Sequence, residues 1–354
     1  MATPDRLIEI ATRHQVYLER LKSGVAKGND AAIKKIEKAI VGILSSLKVE
    51  NMSELTRTRL NRVIADLREV QDGILTERID ELTTELQAIA AAEAGFEARA
   101  LERTIRRAKV AIPKAKAAYE LAQKRPLSAT GELLEPFLIG WKRKQIDAVS
   151  KLVSQGYANG ITNQEMVRAV TGTRRVGFAD GEAAKWRRDA QTIVRTAVQH
   201  VASAGRYATW EENADLVTGY QWVSTLDSRT TAQCRSLSGK VFELGKGPLP
   251  PIHQNCRSAT VGELRDDLKF LGEGATQSSQ FGYVDADLTY YEWLKRQPAA
   301  FQDDAIGPTR AKLLRDGGLS AEKFAQLNLG RNFQPLTLEQ MRAKEPLVFE
   351  RAGI

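Results

Sequence analysis

Cysteine and histidine are scarce in this sequence. Its 354 residues include only two cysteines and three histidines. A fold held by several disulfide bonds needs several cysteine pairs, so the sequence excludes a disulfide scaffold. Aromatic residues make up only 6% of the chain, whereas alanine, leucine, glutamate, lysine and arginine are plentiful. This balance favours helices over a β-sandwich or a β-barrel.

Several sequence patterns of established meaning are also missing. No stretch approaches the roughly 20 apolar residues that a membrane-spanning helix needs, so we expect no membrane contact. The first residues contain no apolar core of a secretion signal, which predicts synthesis and retention in a cytoplasm. There is no glycine-rich phosphate loop, no dinucleotide fingerprint and no HExxH motif, which argues against the enzymes that depend on them.

Positive charge is in moderate excess and unevenly distributed. Lysine and arginine number 52 against 44 acidic residues, a net charge of +8. The stretch 99–125 contains nine of these cations and only two glutamates. It is interpreted either as a solvated helix face or as a surface that faces DNA phosphates. In the second interpretation the residues that face DNA are Arg103, Arg106, Arg107 and Lys109.

The periodicity of apolar residues predicts a mainly α-helical fold with one small α+β module. Residues 1–126 are expected to form a helical arm or bundle, with helix breaks at Ser23-Gly24 and Gly28-Asn29. We place a linker at 127–140, a second helical region at 141–215, the α+β module with an antiparallel sheet at 216–264, and a tail of short helices at 265–354. Within that tail, 272–282 is expected to be a flexible connector or an exposed loop.

The longest predicted helix carries a stripe of apolar residues at heptad-like spacing. The stripe comprises Leu60, Val63, Leu67, Val70 and Ile74 and, after a one-residue shift near Gly73, Leu75, Ile79, Leu82, Leu86 and Ile89. Such a stripe packs either inside a bundle formed by one chain or against a second copy of the chain. The sequence leaves both options open, so self-association through the long helix is one expectation.

The α+β module contains both cysteines and one histidine, in the pattern C-x18-H-x2-C. Cys234 falls on a short helix predicted at 229–237, with Asp227 or the residue after it as the N-cap. His253 and Cys256 follow a proline-rich loop and are close enough in sequence to face one site.

This pattern allows three interpretations. A structural zinc site needs four ligands, so Asp227 would have to join Cys234, His253 and Cys256. A cysteine–histidine nucleophile and base is the second interpretation, although no oxyanion loop or third orienting group is evident. In the third, both cysteines are small buried hydrophobes, and the histidine forms a hydrogen bond that holds the loop.

The stretch around these residues resembles the phage Mu F-like minor head protein family, also called the phage head morphogenesis family. The family signature combines a tryptophan, Asp-x-Arg-Thr, Cys-x-x-Cys, a Gly-Lys turn, a proline-rich loop and His-Pro-x-Cys-Arg-Cys. Its positions are filled here by Trp222, Asp227, Arg229, Thr230, Cys234, Gly239, Lys240, Pro250, Pro251, His253, Asn255, Cys256 and Arg257. With a preceding Arg-Thr helix and segments downstream, the resemblance covers about residues 185–330.

Four family positions hold a different residue in this chain. Thr231 and Ser258 replace the first and last cysteines of the signature, Gln254 replaces a proline, and Ala197 stands where relatives often have an acidic residue. A four-cysteine zinc site or a pair of disulfides therefore does not transfer intact. What the resemblance leaves is one cysteine pair with a nearby histidine, as a candidate metal or disulfide clamp.

The resemblance implies a minor head protein of a tailed bacteriophage that takes part in head morphogenesis near the portal and is not an enzyme. The implied partners are the portal protein, the major capsid protein and packaged DNA. The implied location is the virion head, after synthesis in the bacterial cytoplasm, and zinc is the one candidate cofactor. Two alternatives are an enzyme or effector that uses Cys234, His253 and Asp227, and a dedicated DNA-binding protein.

Overall fold

The computed structural model describes residues 6–106 and 108–354, and helices dominate it. The first six helices are α1 (Leu7–Ser45), α2 (Arg57–Thr104), α3 (Ala115–Lys124), α4 (Leu134–Asn159), α5 (Asn163–Thr171) and α6 (Glu182–Glu212). α6 lies at the centre, because it packs against α1, α2 and α3. On α6 the side chains of Val194, Ala197, Val198 and Val201 are fully buried.

A small antiparallel sheet follows α6. Its strands β1 (Val217–Val223), β2 (Val241–Glu243) and β3 (Ala259–Leu264) lie in the order β2-β1-β3. Helix α7 (Ala232–Leu237) lies between β1 and β2 in the chain. The predicted fold class, mainly α-helical with a small antiparallel-sheet module and a helical C-terminal region, is confirmed.

The C-terminal region begins with a hairpin. Strands β4 (Thr276–Ser279) and β5 (Gly282–Asp285) pair antiparallel, and the Thr276 backbone N–H donates to Glu9 of α1 at 3.0 Å. The prediction of a flexible connector or exposed loop at 272–282 is therefore wrong, because β4 and the start of β5 lie in this range. The short helices that follow are α8 (Tyr290–Lys295), α9 (Ala299–Ile306), α10 (Pro308–Asp316), α11 (Ala321–Leu327), α12 (Leu338–Lys344) and α13 (Pro346–Arg351).

Helix α1 runs unbroken through both predicted breaks. A Cβ atom on Gly28 would lie 2.8 Å from the guanidinium carbon of Arg78, which belongs to α2. The neighbouring Asn29 is fully buried, and its side-chain oxygen accepts a hydrogen bond from Arg78 at 2.6 Å. The Gly-Asn pair is thus a packing contact for an arginine of the next helix, and the prediction of a break is wrong.

Helix α2 is also continuous, and its buried stripe has a different register from the predicted one. The stripe passes through Gln71 and Arg78, whereas Gly73 is exposed and causes no shift. α2 packs with this stripe against α1, α4 and α6 of the same chain. Self-association through the stripe is therefore wrong, because the chain's own helices already cover it.

The chain is helical from Leu134 onward, so the prediction of a linker at 127–140 is wrong for the second half of that range. Leu127 and Leu134 are both buried, and they join Phe137 in a core shared with α2 and α6. The short turn before α4 is closed by the Leu127 backbone N–H, which donates to the carbonyl oxygen of Glu132 at 2.8 Å. Proline, serine and glycine thus shape a tight turn here and do not separate two domains.

The N-terminal helices and the sheet share one hydrophobic core. Leu7 of α1 and Leu101 of α2 belong to the same cluster as Trp210 and Tyr220. The rings of Trp210 and Tyr220 stack with centroids 5.8 Å apart. Residues 6–106 therefore form a bundle packed on the module and not a projecting arm, and α1 also contacts β3 and β4.

Candidate functional site

Helix α7 positions the first cysteine of the candidate site. Thr231 is the N-cap of α7, and its hydroxyl accepts a hydrogen bond from the Cys234 backbone N–H at 3.5 Å. The cap predicted at 227–228 is wrong, because the helix begins only at Ala232. After α7, Gly239 adopts a positive φ of 80°, which turns the chain toward β2.

Asp227 is engaged in an ion pair with Arg257. Its carboxylate accepts hydrogen bonds from both terminal nitrogens of Arg257, at 2.7 and 3.0 Å. It also accepts the Arg229 backbone N–H and the Thr230 hydroxyl, at 3.0 and 2.9 Å. Burial alone would raise the pKa of Asp227, but Arg257 and the other donors hold it below its usual value. Asp227 thus ties the turn before α7 to the loop after Cys256, and the structure does not support it as a fourth metal ligand.

The three remaining candidates come together as the sequence pattern predicts. The Cys234 sulfur lies 3.1 Å from Nε2 of His253 and 3.7 Å from the Cys256 sulfur. All three ligand atoms lie within 4.8 Å of one another, and both cysteines are free thiols. Tetrahedral zinc with Zn–S bonds of about 2.3 Å places two sulfurs about 3.8 Å apart, so the sulfur separation fits a shared ion. Among the described residues, this cluster supplies three ligands and leaves one coordination position open.

Hydrogen bonds within the cluster are an alternative to a metal ion, because they can pair the two sulfurs and the imidazole with one another. Nδ1 of His253 lies 2.8 Å from the Gln254 carbonyl oxygen, to which it donates, so Nε2 points at the sulfurs. Burial raises the pKa of the Cys234 thiol, and the adjacent Cys256 raises it further. Burial also opposes ionisation of Cys256, yet hydrogen bonds from Cys234 and His253 lower its pKa well below the usual value. These opposite shifts favour ionisation of Cys256 over that of Cys234.

Trp222 and Ser224 connect β1 to α7 through two hydrogen bonds. Trp222 is fully buried, and its indole N–H donates to the Ser224 hydroxyl at 3.1 Å. That hydroxyl in turn donates to the Cys234 carbonyl oxygen at 2.5 Å. The tryptophan of the family signature, Trp222, thus helps to fix the position of α7, which carries Cys234.

Helices α1 and α6 hold the loop that carries the second cysteine. Lys22, only 1% exposed, donates to the Cys256 carbonyl oxygen at 3.2 Å and to Gln199 at 2.5 Å. Gln199 also donates to the Ser258 carbonyl oxygen at 3.4 Å, and Thr196 accepts the backbone N–H of the residue before Cys256. Sequence analysis missed Lys22 and Gln199. The available signal was the row of polar residues along one face of α6, at a spacing that otherwise marks the core.

Comparison with protein families assigns this part of the chain. The family model described as Phage Mu protein F like protein matches residues 147–261. Residues 147–261 are a phage Mu F-like region. The match starts inside α4 and ends within β3, so it contains α6, α7 and the whole Cys/His cluster. The searches of curated proteins and of solved structures gave no match.

The Mu F-like match confirms the resemblance and points to phage head morphogenesis. A role in the head implies contacts with other head components and a location in the virion. Within residues 6–106 and 108–354, no helix combines the length and the apolar composition that crossing a bilayer requires. The family match accounts for the site residues only up to Val261, and the resemblance further downstream remains a prediction.

Two hydroxyl side chains occupy the places of the missing family cysteines in the Mu F-like region. Thr231 and Ser258 are near enough to the Cys234 thiol to lower its pKa, against the larger opposite effect of burial. The four positions of the family signature therefore converge in space around one point, although only two of them are cysteines. The fold keeps the geometry of the site while the ligand set is reduced.

We expect the double substitution Thr231→Cys and Ser258→Cys to create a tight zinc site in the Mu F-like region. Four thiolates and a nearby imidazole provide a complete ligand set, which the native chain lacks. Loss of outer-shell partners alone weakens zinc binding by about 10- to 100-fold, so two added ligands should tighten it at least tenfold. Competition with a chromogenic chelator measures both proteins. Equal zinc affinity of the double variant and the native chain would contradict convergence of the four positions.

The predicted DNA-facing residues lie outside the Mu F-like region, at the end of α2. Arg103, Arg106 and Lys109 are exposed and form no salt bridge among the described residues, whereas Arg107 lies outside them. The segment that follows α2 is held by Asn213, whose side chain donates to and accepts from the backbone of Ala111 at 2.9 and 2.8 Å. Arg103 thus lies in the last turn of α2, and Arg106 and Lys109 lie between this turn and the anchored Ala111.

Two arginines of α6 form ion pairs within the chain. Arg187 pairs with Glu37 at 2.5 Å, and Arg195 pairs with Glu19, both carboxylates belonging to α1. Each of these ion pairs is partly buried. These cations therefore hold α1 against α6 and are not free for phosphate contacts.

Proposed function

We propose that this protein is a minor head protein of a tailed bacteriophage that joins the head near the portal during assembly. The observation that carries the proposal is the Mu F-like match over 147–261, which includes the whole Cys/His cluster and the helix on which it docks. α1, α2 and α6 provide a rigid bundle, and the module adds a compact surface for one specific contact. Portal and capsid proteins are the partners that this role requires.

A structural role for the Cys/His cluster agrees with its surroundings. Cys234 and Cys256 are only 2% and 1% exposed, so a substrate has no access to either sulfur. Their partners belong to α7 and the 253–258 loop, and this loop is held in turn by Lys22 of α1 and Gln199 of α6. We propose that the cluster holds this loop in place, through proton sharing or a bound zinc ion, and performs no catalysis.

Quantitative mass spectrometry of gradient-purified particles tests the proposal. We expect the protein in virions at a copy number near or below that of the portal protein. Absence from both mature particles and procapsids would overturn the assignment.

The alternative of a phage-carried enzyme or effector makes a different prediction. If the cluster only supports the fold, Cys234→Ala and His253→Ala should leave the infectious titre unchanged wherever the protein still folds and is incorporated into particles. Circular dichroism and particle composition establish both conditions. A lost titre with normal folding and incorporation would favour a chemical role for the cluster.

We propose DNA contact as a second function, supported by Arg103 in the last turn of α2 and by Arg106 and Lys109 just after it, which form no salt bridge among the described residues. Reversing them in the triple variant Arg103→Glu, Arg106→Glu and Lys109→Glu should weaken binding to duplex DNA. Each phosphate contact contributes about 0.9 to the slope of log K against log salt, so the slope should fall by up to about 3. Fluorescence anisotropy at several salt concentrations measures this.

The matched control lies at the other end of the same helix. Arg57, Arg59 and Arg62 are equally exposed and, in the described part of the chain, also lack acidic partners. Reversal of these three changes the net charge by the same amount. If both triple variants lose the same affinity, binding depends on net charge alone and the proposed surface is wrong.

A further inference from the structure

A groove with a volume of about 560 Å³ lies among the C-terminal helices. One wall is formed by the turn at 318–320 and by α11, and the other by the residues that join α12 to α13. The groove lies outside residues 147–261, which the family model matches, and contains no residue of the Cys/His cluster. Neither the family match nor the proposed role in the head assigns it a ligand.

Three cations from three different helices line this groove. They are Lys323 of α11, Lys344 of α12 and Arg351 of α13. All three side chains are exposed, and within residues 6–106 and 108–354 none of them forms a salt bridge. Among the described lining residues only Glu345 is acidic, so the lining carries three positive charges against one negative charge. A concave surface with this balance attracts an anionic ligand.

The same groove exposes a large apolar side chain. Leu347, in the first turn of α13, is 59% exposed and lines the groove together with the cations. Leu319 is partly buried and Val348 is almost completely buried, and both also line the groove. A single exposed leucine is ordinary on a protein surface, but one in a concave site can be covered by an apolar group of a ligand. The ligand that fits this lining is therefore both anionic and apolar.

Packing and a hydrogen bond hold the walls of the groove in place. A Cβ atom on Gly317 would lie 2.7 Å from a side-chain methyl carbon of Val348, so α13 packs closely on the end of α10. Val348 also belongs to the hydrophobic core of the C-terminal helices. The Ser320 hydroxyl accepts a hydrogen bond from the Lys323 backbone N–H at 3.2 Å and thereby caps α11. Walls that are ordered before binding lower the entropic cost of binding.

We propose that the groove binds an acidic segment of a partner protein, with a leucine-sized side chain among its acidic residues. Its carboxylates pair with Lys323, Lys344 and Arg351, and its apolar side chain packs on Leu347. DNA is anionic too, but its backbone presents only phosphates and sugars to such a groove and leaves Leu347 uncovered. The combination of charge and apolar surface therefore favours a protein over a nucleic acid.

Fluorescence anisotropy on the full chain tests this site, with a short labelled peptide in which glutamates flank two leucines. We expect saturable binding, and weaker binding of a peptide in which serines replace the leucines. The double variant Lys344→Glu and Arg351→Glu should weaken binding by about tenfold, because two attractions become two repulsions. Leu347→Ser should weaken binding of the leucine peptide by about three- to tenfold and leave binding of the serine peptide unchanged.

The matched control reverses two charges at the start of α2. Arg57 and Arg59 are exposed there, and the double variant Arg57→Glu and Arg59→Glu changes the net charge by the same amount. Its affinity for the leucine peptide should stay close to that of the native chain. Thermal denaturation of each variant separates lost binding from lost folding.

Three outcomes overturn the proposed peptide site. They are no saturable binding, equal affinity of the native chain for the leucine and serine peptides, and an equal loss of affinity in the control variant. Tighter binding of a DNA oligonucleotide that is lost with Lys344→Glu and Arg351→Glu would make the groove a nucleic-acid site instead. The result is independent of the particle composition that tests the role in the head.

Discussion

Replacing Gly205 by valine is expected to lower the free energy of unfolding by about 3 kcal/mol, because α6 and α2 touch through their backbones at this residue. A Cβ atom on Gly205 would lie 2.5 Å from the Ala90 carbonyl oxygen, which belongs to α2. Around this contact both helices carry small buried residues, among them Ala94 and Ala204. A larger side chain must push the two helices apart along this packed interface.

Denaturant unfolding followed by circular dichroism measures the effect of Gly205→Val. Gly73→Ala is the matched control, since Gly73 lies in α2 and an added Cβ there meets no atom within 4 Å. That control should be neutral or stabilising by up to about 1 kcal/mol, because alanine favours helix over glycine. Equal stability of the valine variant and the native chain would contradict the backbone contact.

The second large effect is expected for Arg206→Leu, next to this contact. Arg206 is completely buried and lies 3.5 Å from the Glu93 carboxylate. Glu97 is also buried, and its carboxylate accepts the indole N–H of Trp210 at 2.7 Å. Removing the cation leaves Glu97 without its positive neighbour, and leaves Glu93 with His14 alone, whose Nε2 lies 2.7 Å from its carboxylate. A loss of about 3–5 kcal/mol is typical when one partner of a buried ion pair is deleted.

This loss should depend on pH with a defined sign. Burial raises the pKa of Glu97 to about 7, although Arg206 opposes the shift. A folded-state pKa above the unfolded value means that the native state binds more protons, so Glu97 lowers stability as pH rises from about 4.5 to 7. Without Arg206 the pKa of Glu97 rises further, and the variant should lose more stability at pH 9 than at pH 5.

His200 produces the opposite trend in the native chain, and the experiment has to separate the two. Burial lowers the pKa of His200 to about 4, so the unfolded state binds more protons and stability rises between about pH 4 and 6.5. Glu97→Gln keeps an acceptor for Trp210 and removes only the carboxylate. Its stability should therefore rise through this range, where the native chain shows little change. A loss for Arg206→Leu that is equal at pH 5 and pH 9 would refute the role of the buried carboxyl groups.

Sequence patterns alone predicted the local elements that short-range chemistry determines. The short helix predicted around Cys234 forms as α7, although it begins later than predicted, and the antiparallel sheet predicted for 216–264 forms as β1, β2 and β3. The spacing of Cys234, His253 and Cys256 correctly indicated that they meet, because α7 and the proline-rich loop are short and rigid. The family signature also located this region correctly, since the family model matches residues 147–261.

Tertiary contacts decided the features that sequence analysis predicted wrongly. Gly28 indicated a break in isolation, but the Arg78 guanidinium fills the space beside it and α1 continues. Asp227 was a plausible ligand by residue type, yet Arg257 uses its carboxylate. Lys22 supports the cysteine loop from more than two hundred residues away, a contact that no local pattern contains. Hydrophobic periodicity and helix propensity reflect interactions over a few residues, whereas these partners meet only when α1, α2 and α6 pack against one another. The sequence by itself therefore determined the helices and strands, and the tertiary packing determined the role of each of these residues.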